Sequence, residues 1–231
     1  SKEYWTLNAD FYMDGEKKPL NAEFYGTHSK KMTIESEKEM DEIVASLKKA
    51  DFHVEDVKKS QRTKKAPQPF TTSTLQQEAA KTLNFSTQKT MRLAQGLYEG
   101  VTVKGRGSIG LITYLRTDST RISEEAKAAA KDYITENYGQ EYLAEGVAEK
   151  KSGKKIQDAH EAIRPSYIDL TPAQVKESLN RDQFRLYQLI WKRFMASQMA
   201  AAKYETTSVK IDTDKYRFTA ASSKVAFQRY L

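Results

Sequence analysis

The segment Ile112-Thr113-Tyr114-Leu115-Arg116-Thr117-Asp118-Ser119-Thr120 ends a strongly apolar run and then changes to small polar residues. It places a phenol and a guanidinium two residues apart, at Tyr114 and Arg116. Residues i and i+2 of a β-strand project from the same face, so a strand through this segment would direct both side chains into one space. The pattern predicts a strand that carries a phenol beside a cation, followed by a turn or a helix cap.

Tyr114 in this setting is a candidate nucleophile for a phosphodiester. A free phenol has a pKa of about 10, so its attack near neutral pH needs a general base or a local positive field. Arg116 would supply that field, and its planar fork matches the geometry of phosphate oxygens. The competing interpretation is that Tyr114 only packs at the end of a strand, since the chain contains 13 tyrosines.

A second group of candidate site residues lies further along the chain. His160 is one of 3 histidines and stands between Asp158 and Glu161, in a segment that Pro165 closes. An imidazole here would donate a hydrogen bond to a phosphate or hold another site residue in place; the alternative is a structural histidine. Arg164 precedes the proline, which disfavours helical geometry, so no helical pairing with His160 is expected.

Composition limits the classes of protein that need consideration. The chain has 231 residues, a net charge of +7 and no cysteine. The charge favours a polyanionic partner, and the lack of cysteine excludes disulfides, thiolate catalysis and zinc–thiolate sites. No apolar run approaches the ~20 residues that span a bilayer. The chain begins without Met and ends in strand-like residues, which suggests a piece of a longer protein.

Local patterns predict strands at both ends of the chain and helices in the middle. Residues 1 to 64 are predicted to form strands around one helix, which Ser36 and Glu39 would cap reciprocally. Residues 58 to 69 combine five cations with two prolines and predict an exposed linker or hinge, with a phosphate-contacting arm as the alternative. The sequence Asp212-Thr213-Asp214, which predicts a hairpin turn, offers no clear magnesium site.

The middle of the chain suggests a helix-turn-helix with a wing. Two helices are predicted between residues 70 and 100, the first capped by Ser73 or Thr74 and the second by Ser86. A glycine-rich hairpin follows at residues 101 to 110. Its glycines match a dinucleotide-binding fingerprint by spacing, but they precede a strand instead of opening a helix, so that function is excluded.

Three longer motifs resemble those of one enzyme family, the bacterial type IA DNA topoisomerases. They occupy residues 69–77 (PFTTSTLQQ), 110–119 (GLITYLRTDS) and 158–166 (DAHEAIRPS). The motifs follow in the family's order, and the resemblance extends over nearly the whole chain. The last motif is more similar to topoisomerase I than to topoisomerase III.

The resemblance implies an α+β fold in two parts. A helical, winged-helix-like domain with the catalytic tyrosine, residues 65–201, would be inserted into a β-rich arch domain of residues 1–64 and 202–231. Tyr114 would attack one DNA strand and hold its 5′ end as a phosphotyrosine. Arg116 would stabilise the phosphate charge, and His160 and Arg164 would contact DNA. Opening of the arch would let a strand pass, so that negative supercoils relax without ATP.

The family's toprim domain, whose acidic residues bind Mg²⁺, has no counterpart in these 231 residues. The resemblance therefore implies a monomeric central fragment of a bacterial enzyme that acts in the cytoplasm, at the nucleoid and not at a membrane. Its partners would be single-stranded or negatively supercoiled DNA and the toprim domain of the same full-length chain. Because phosphoryl transfer depends on electrostatic stabilisation, the fragment alone is expected to be inactive.

Two other functions compete with this one. A tyrosine recombinase is expected to place a His-x-x-Arg pair before its tyrosine, whereas His160 and Arg164 follow Tyr114 at a different spacing. A non-catalytic nucleic-acid-binding module would use only the helix pair and the basic linker. A covalent DNA adduct that depends on Tyr114 would separate an enzyme from such a module.

Overall fold

A computed structural model of the chain describes residues 2–144 and 160–227, with side chains of the last strand described as far as residue 223. The predicted basic loop near residues 150–155 and Asp158 lie outside the described residues. The strands are β1 Asn8–Phe11, β2 Leu20–Thr27, β3 His53–Lys64, β4 Val101–Val103, β5 Gly107–Ile109, β6 Ala202–Asp212 and β7 Tyr216–Phe227. The α-helices are α1 Glu37–Leu47, α2 Thr72–Leu83, α3 Thr87–Glu99, α4 Glu124–Asn137, α5 Pro172–Val175 and α6 Arg181–Gln198.

The chain divides into two compact units. Unit 1 combines Ser1–Thr63 with Lys203–Phe227, and unit 2 contains Lys64–Ala202. Antiparallel strand pairs together with separate helices make the fold α+β, which confirms the predicted class. The assignment of the β-rich part as an arch stays a prediction.

Unit 1 is built on a five-stranded sheet. Its strand order is β1-β2-β7-β6-β3, so β1 and β3 are the edge strands. One face of the sheet and α1 bury an apolar cluster that includes Phe24, Ile34, Ile43, Ile211 and Phe218. The helix begins as predicted at Ser36, whose hydroxyl accepts the Glu39 N–H at 3.2 Å. The return bond differs from the prediction, because the Glu39 carboxylate accepts the N–H of Glu35 and not that of Ser36.

The predicted linker at residues 58–69 is wrong in its first half. Residues 58–64 belong to β3, which pairs with β6, and all 12 side chains of this strand are exposed. A strand is usually recognised by one apolar face, and the basic half of β3 has none. Backbone N–H and C=O groups of β3 instead bond to the neighbouring strand β6. Such backbone bonds do not depend on a hydrophobic pattern in the side chains of β3.

The β6–β7 connection confirms the predicted hairpin turn. The Thr213 N–H donates to the Tyr216 carbonyl at 2.8 Å, and the Asp212 carboxylate accepts two bonds from the Arg217 guanidinium at 2.7 and 2.8 Å. Asp212 is only 2% exposed. Burial alone would favour the neutral acid, but the hydrogen bonds and charge of Arg217 hold the pKa of Asp212 below its ordinary value.

Unit 2 packs its helices around a large apolar cluster, beside a smaller one that includes Ala130 and Phe194. Leu75 and Ala79 of α2, Leu97 of α3 and Leu186 and Ile190 of α6 are fully buried in the large cluster. The first cap differs from the prediction: Thr71, not Ser73 or Thr74, caps α2 and forms a reciprocal capping box with Thr74. Ser86 caps α3 as predicted. The short hairpin β4–β5 follows α3 directly. Within the described residues, no helix is long and apolar enough to cross a membrane.

Candidate active site

Three extended segments of unit 2 meet at the candidate site. The β-pairing between them is limited to isolated bridges. Phe70 pairs with Ile163, and Ile112 pairs with Pro165. The Ile163 N–H donates to the Phe70 carbonyl at 2.8 Å. The tyrosine segment is thereby anchored to the histidine segment, which in turn is anchored to the residues before α2.

Thr113 fixes the position of the residue just before Tyr114. Its hydroxyl donates to the Ala162 carbonyl at 2.7 Å and accepts the Arg164 N–H at 3.0 Å. Its own backbone N–H donates to the Arg164 carbonyl at 2.9 Å. One threonine therefore ties the tyrosine segment to the histidine segment through both its backbone and its side chain.

Thr72, at the start of α2, anchors the tyrosine segment after Tyr114, again through both its backbone and its side chain. Its hydroxyl donates to the Leu115 carbonyl at 2.6 Å and accepts the Thr117 N–H at 2.9 Å. Its backbone N–H donates to the Thr117 carbonyl at 2.9 Å. Arg116 lies between Leu115 and Thr117, the two residues that these bonds hold. Thr72, the first residue of α2, therefore fixes the backbone conformation at Arg116.

The predicted β-strand through Tyr114 and Arg116 is wrong. The segment makes a single bridge at Ile112 and then bends at Leu115 and Arg116. The reason is the set of threonine bonds, because side-chain hydroxyls that bind backbone groups compete with a strand ladder. Tyr114 and Arg116 are nevertheless both exposed, while Leu115 between them is 1% exposed.

Tyr114 lies in a group of exposed aromatic rings. Its side chain is 41% exposed. Its ring packs edge-on against Tyr98, with 5.4 Å between centroids, and lies 5.9 Å from the His160 ring. Among the described residues, no hydrogen bond engages the Tyr114 hydroxyl. The phenol is thus held by ring contacts, and its oxygen is available to an incoming group.

Arg116 and His160 line one open cleft of about 500 Å³. Its other lining residues are Thr71, Thr72, Ser73, Gln76, Thr117 and Asp118. Within the part of the chain that the structure describes, no hydrogen bond or ion pair engages either the Arg116 guanidinium or the His160 ring. The Arg116 guanidinium and the His160 imidazole favour binding of an anion, and the Asp118 carboxylate in the same lining opposes it.

Arg164 is placed differently from the other candidates. Its guanidinium donates to the Glu161 carboxylate at 2.8 Å and to the Pro165 carbonyl at 3.0 Å, and its side chain is 13% exposed. Glu161 also accepts the N–H of Ser123, the residue that caps α4. Burial acts to raise the pKa of Glu161, but the Arg164 and Ser123 bonds outweigh it and lower that pKa. The DNA contact predicted for Arg164 stays a prediction, and its visible bonds are structural.

The acidic and histidine side chains of the described residues are dispersed. No three of them come together in a group of the kind that commonly holds a metal ion.

Sequence reasoning missed the two threonines that position the site. Thr113 adjoins Tyr114, and Thr72 stands in the Thr71-Thr72-Ser73-Thr74 run before α2. Such a run indicates a helix cap, but it does not reveal which carbonyl a hydroxyl will reach elsewhere in the chain. Tyr98 lies in α3, and no local sequence signal indicates its contact with Tyr114.

Comparison with known proteins identifies the family of the chain. A family model described as DNA topoisomerase matches residues 1–231. The chain belongs to the bacterial type IA DNA topoisomerases. This topoisomerase chain is similar to the full-length topoisomerase I from Thermotoga maritima, with 40% sequence identity and a TM-score of 0.79. The match covers 100% of this chain and 36% of that one, so the chain spans about a third of the length of its relative.

Proposed function

We propose that this chain carries the DNA-cleaving tyrosine of an ATP-independent type IA topoisomerase, an isomerase that relaxes negatively supercoiled DNA in the bacterial cytoplasm. The observation that carries the proposal is the position of Tyr114. Its exposed phenol packs beside the ring of His160, and His160 in turn lines a cleft with Arg116, which has no ion-pair partner among the described residues. In a chain of this family, that combination supports attack on a DNA phosphate.

The reaction is a reversible transfer of a phosphodiester. The Tyr114 oxygen forms a bond to phosphorus while the bond from phosphorus to the 3′ oxygen of the preceding nucleotide breaks. The phenol loses its proton and the leaving 3′ oxygen gains one. The 5′ end of the strand stays on Tyr114 until the 3′ hydroxyl attacks the phosphotyrosine and restores both the strand and the phenol. One phosphodiester replaces another at each step, so no ATP is needed.

Arg116 and His160 would bind the phosphate during this exchange. The guanidinium would neutralise charge on the non-bridging oxygens, and the imidazole would donate a hydrogen bond to the same group. Positioned hydrogen-bond donors of this kind lower the free energy of the transition state most where they face the atoms on which negative charge develops. Arg164 would act indirectly: its backbone N–H donates to the Thr113 hydroxyl and so helps to position the residue before Tyr114.

Mg²⁺ and the remaining electrostatic stabilisation would come from the toprim domain of the full-length protein. That domain supplies the metal-binding carboxylates in the family. The proposal assigns to this chain only the nucleophile and the phosphate contacts.

A denaturing gel that detects covalent protein–DNA adducts tests the proposal. The chain is mixed with single-stranded DNA, Mg²⁺ and a toprim fragment added in trans. We expect Tyr114→Phe to abolish the adduct and Tyr138→Phe, which removes the hydroxyl of another exposed tyrosine, to retain it. Arg116→Ala should slow adduct formation by about 10²–10³-fold. Equal trapping of DNA by the parent chain and Tyr114→Phe would show that another residue is the nucleophile.

A further inference from the structure

Part of the unit 1 sheet buries none of its described side chains. It consists of residues 58–64 of β3, 203–208 of β6 and 221–223 of β7, which we call the polar ribbon. The apolar residues that pack against α1 lie in other parts of the sheet strands, for example Ile211 in β6 and Phe218 in β7. Burial of the described side chains therefore does not account for the ribbon.

The polar ribbon is strongly basic. Its exposed cations include Lys58, Lys59 and Arg62, and no hydrogen bond or ion pair engages these three among the described residues. Glu205 is the one acidic residue within the ribbon as defined. An unpaired cluster of cations on a folded surface is complementary to a polyanion.

The strand geometry places these cations at regular intervals along β3, on its two faces. Alternate residues of a strand share a face and lie about 6.6–6.8 Å apart, so Lys58 and Arg62 share one face roughly 13 Å apart, with Ser60 between them. Lys59 and Gln61 occupy the other face. Lysine, arginine, serine and glutamine are the side chains that commonly contact DNA phosphates. β3 is also an edge strand, which leaves one row of its backbone groups without a partner strand.

The alternative explanation is that these charges only protect an edge strand from pairing with another protein. Such protection would be most useful beside the exposed apolar residues of β3, Val54 and Val57. The acidic residues Glu55 and Asp56 already stand there. The cations are concentrated instead in residues 58–64, a half of the strand made up of polar side chains, which favours a binding role.

We propose that the polar ribbon is a second DNA-binding surface, separate in the chain from the Tyr114 cleft, which contacts backbone phosphates without reading sequence. The proposal takes the identity of the partner, DNA, from the proposed function. It does not depend on Tyr114 being the nucleophile.

The test compares two triple variants that lose the same charge. Lys58→Gln/Lys59→Gln/Arg62→Gln alters the ribbon, and Lys38→Gln/Lys48→Gln/Lys49→Gln alters three exposed lysines in and just after α1. Fluorescence anisotropy with labelled oligo-dT gives the affinity over a range of salt concentrations, and circular dichroism verifies the fold of each variant. Each phosphate contact on a single strand contributes ~0.7 to the salt slope, and Lys58 and Arg62 share one face of β3, so the ribbon variant should lower the slope by about 1.4. At 0.1 M salt these two contacts correspond to a loss of affinity of roughly 25-fold.

The control variant should keep the salt slope of the parent chain. Equal slopes for the two variants would overturn the proposal, as would a ribbon variant that binds DNA normally but self-associates, because that result assigns the charges to edge protection. If Tyr114→Phe still formed a covalent adduct, the proposed nucleophile would be wrong while the ribbon result would stand.

Discussion

At the scale of single residues, the candidate site separates groups that are available to a ligand from groups that hold the protein together. Arg116 and His160 are exposed and unpaired within the described residues, whereas Arg164 and Glu161 bind each other with 13% and 19% of their side chains exposed. Both arginines come from motifs typical of the family, and sequence alone did not distinguish their roles. The Arg164–Glu161 pair also reaches Ser123, so it connects the histidine segment to the start of α4.

We expect Glu161→Gln to lower the free energy of unfolding by about 2 kcal/mol at neutral pH, because hydrogen bonds between charged groups contribute ~1.5–3 kcal/mol. The pKa of Glu161 is lowered in the folded state from its ordinary value of 4.5. The stabilisation is therefore fully present above that value and is lost as the pH falls through the lower, folded-state pKa. Urea unfolding at neutral and acidic pH measures both effects.

Glu136→Gln, which changes an exposed glutamate of α4, serves as the control and should match the parent chain within ~0.5 kcal/mol. A difference between Glu161→Gln and the parent that persists undiminished in acid would contradict the charged pairing.

At the scale of secondary-structure elements, α2 has a role beyond the core. Its buried face, with Leu75 and Ala79, packs in unit 2, and its first residue, Thr72, binds the backbone on both sides of Arg116. The helix was predictable from its apolar stripe. Its cap was placed two or three residues too late, because a run of four hydroxyl residues offers several equivalent local caps and tertiary contacts select among them.

We expect Thr72→Val to destabilise the protein by ~1–3 kcal/mol, because it leaves the Leu115 carbonyl and the Thr117 N–H without their hydroxyl partner. It should also slow formation of the covalent adduct more than it weakens DNA binding, since it disturbs the backbone of Arg116 and removes no charge. Denaturant unfolding and the adduct assay measure the two effects.

Thr82→Val is the matched control on the same helix, because the Thr82 hydroxyl bonds only to the carbonyl one turn earlier, that of Glu78. Its effect should stay within ~0.5 kcal/mol. Similar effects of the two substitutions on the adduct would mean that Thr72 does not position Arg116.

At the scale of the whole molecule, the chain corresponds to part of a longer protein. It covers 36% of the full-length Thermotoga maritima topoisomerase I, to which it is similar. The proposed nucleophile and the proposed phosphate contacts lie within unit 2, while the polar ribbon lies mainly in unit 1. Under both proposals, each unit would contact DNA.

We predict that the purified 231-residue chain does not relax negatively supercoiled DNA, even with Mg²⁺. Most of the electrostatic stabilisation of phosphoryl transfer would be missing without the toprim carboxylates and their metal. Agarose gel electrophoresis of a supercoiled plasmid measures this directly, and the full-length enzyme provides the positive control. Metal-dependent relaxation by the chain alone would refute the prediction.

The sequence by itself determined the family, the α+β class and the features that depend on neighbouring residues. Ser86 caps α3 as expected, and Asp212-Thr213-Asp214 forms the expected turn, because each involves groups only a few residues apart. Tyr114, Arg116 and His160 could be selected as candidates because their motifs are specific.

Only the tertiary structure decided where those candidates lie and which backbone carries them. Bonds from Thr72 and Thr113 to distant segments replace the expected strand by a bend and place Arg116 and His160 in one cleft. Pairing with β6 likewise turns an apparent linker into β3. The physical reason is the same in each case: these hydrogen bonds join residues far apart in the chain, and neither propensity nor periodicity within a short window encodes them.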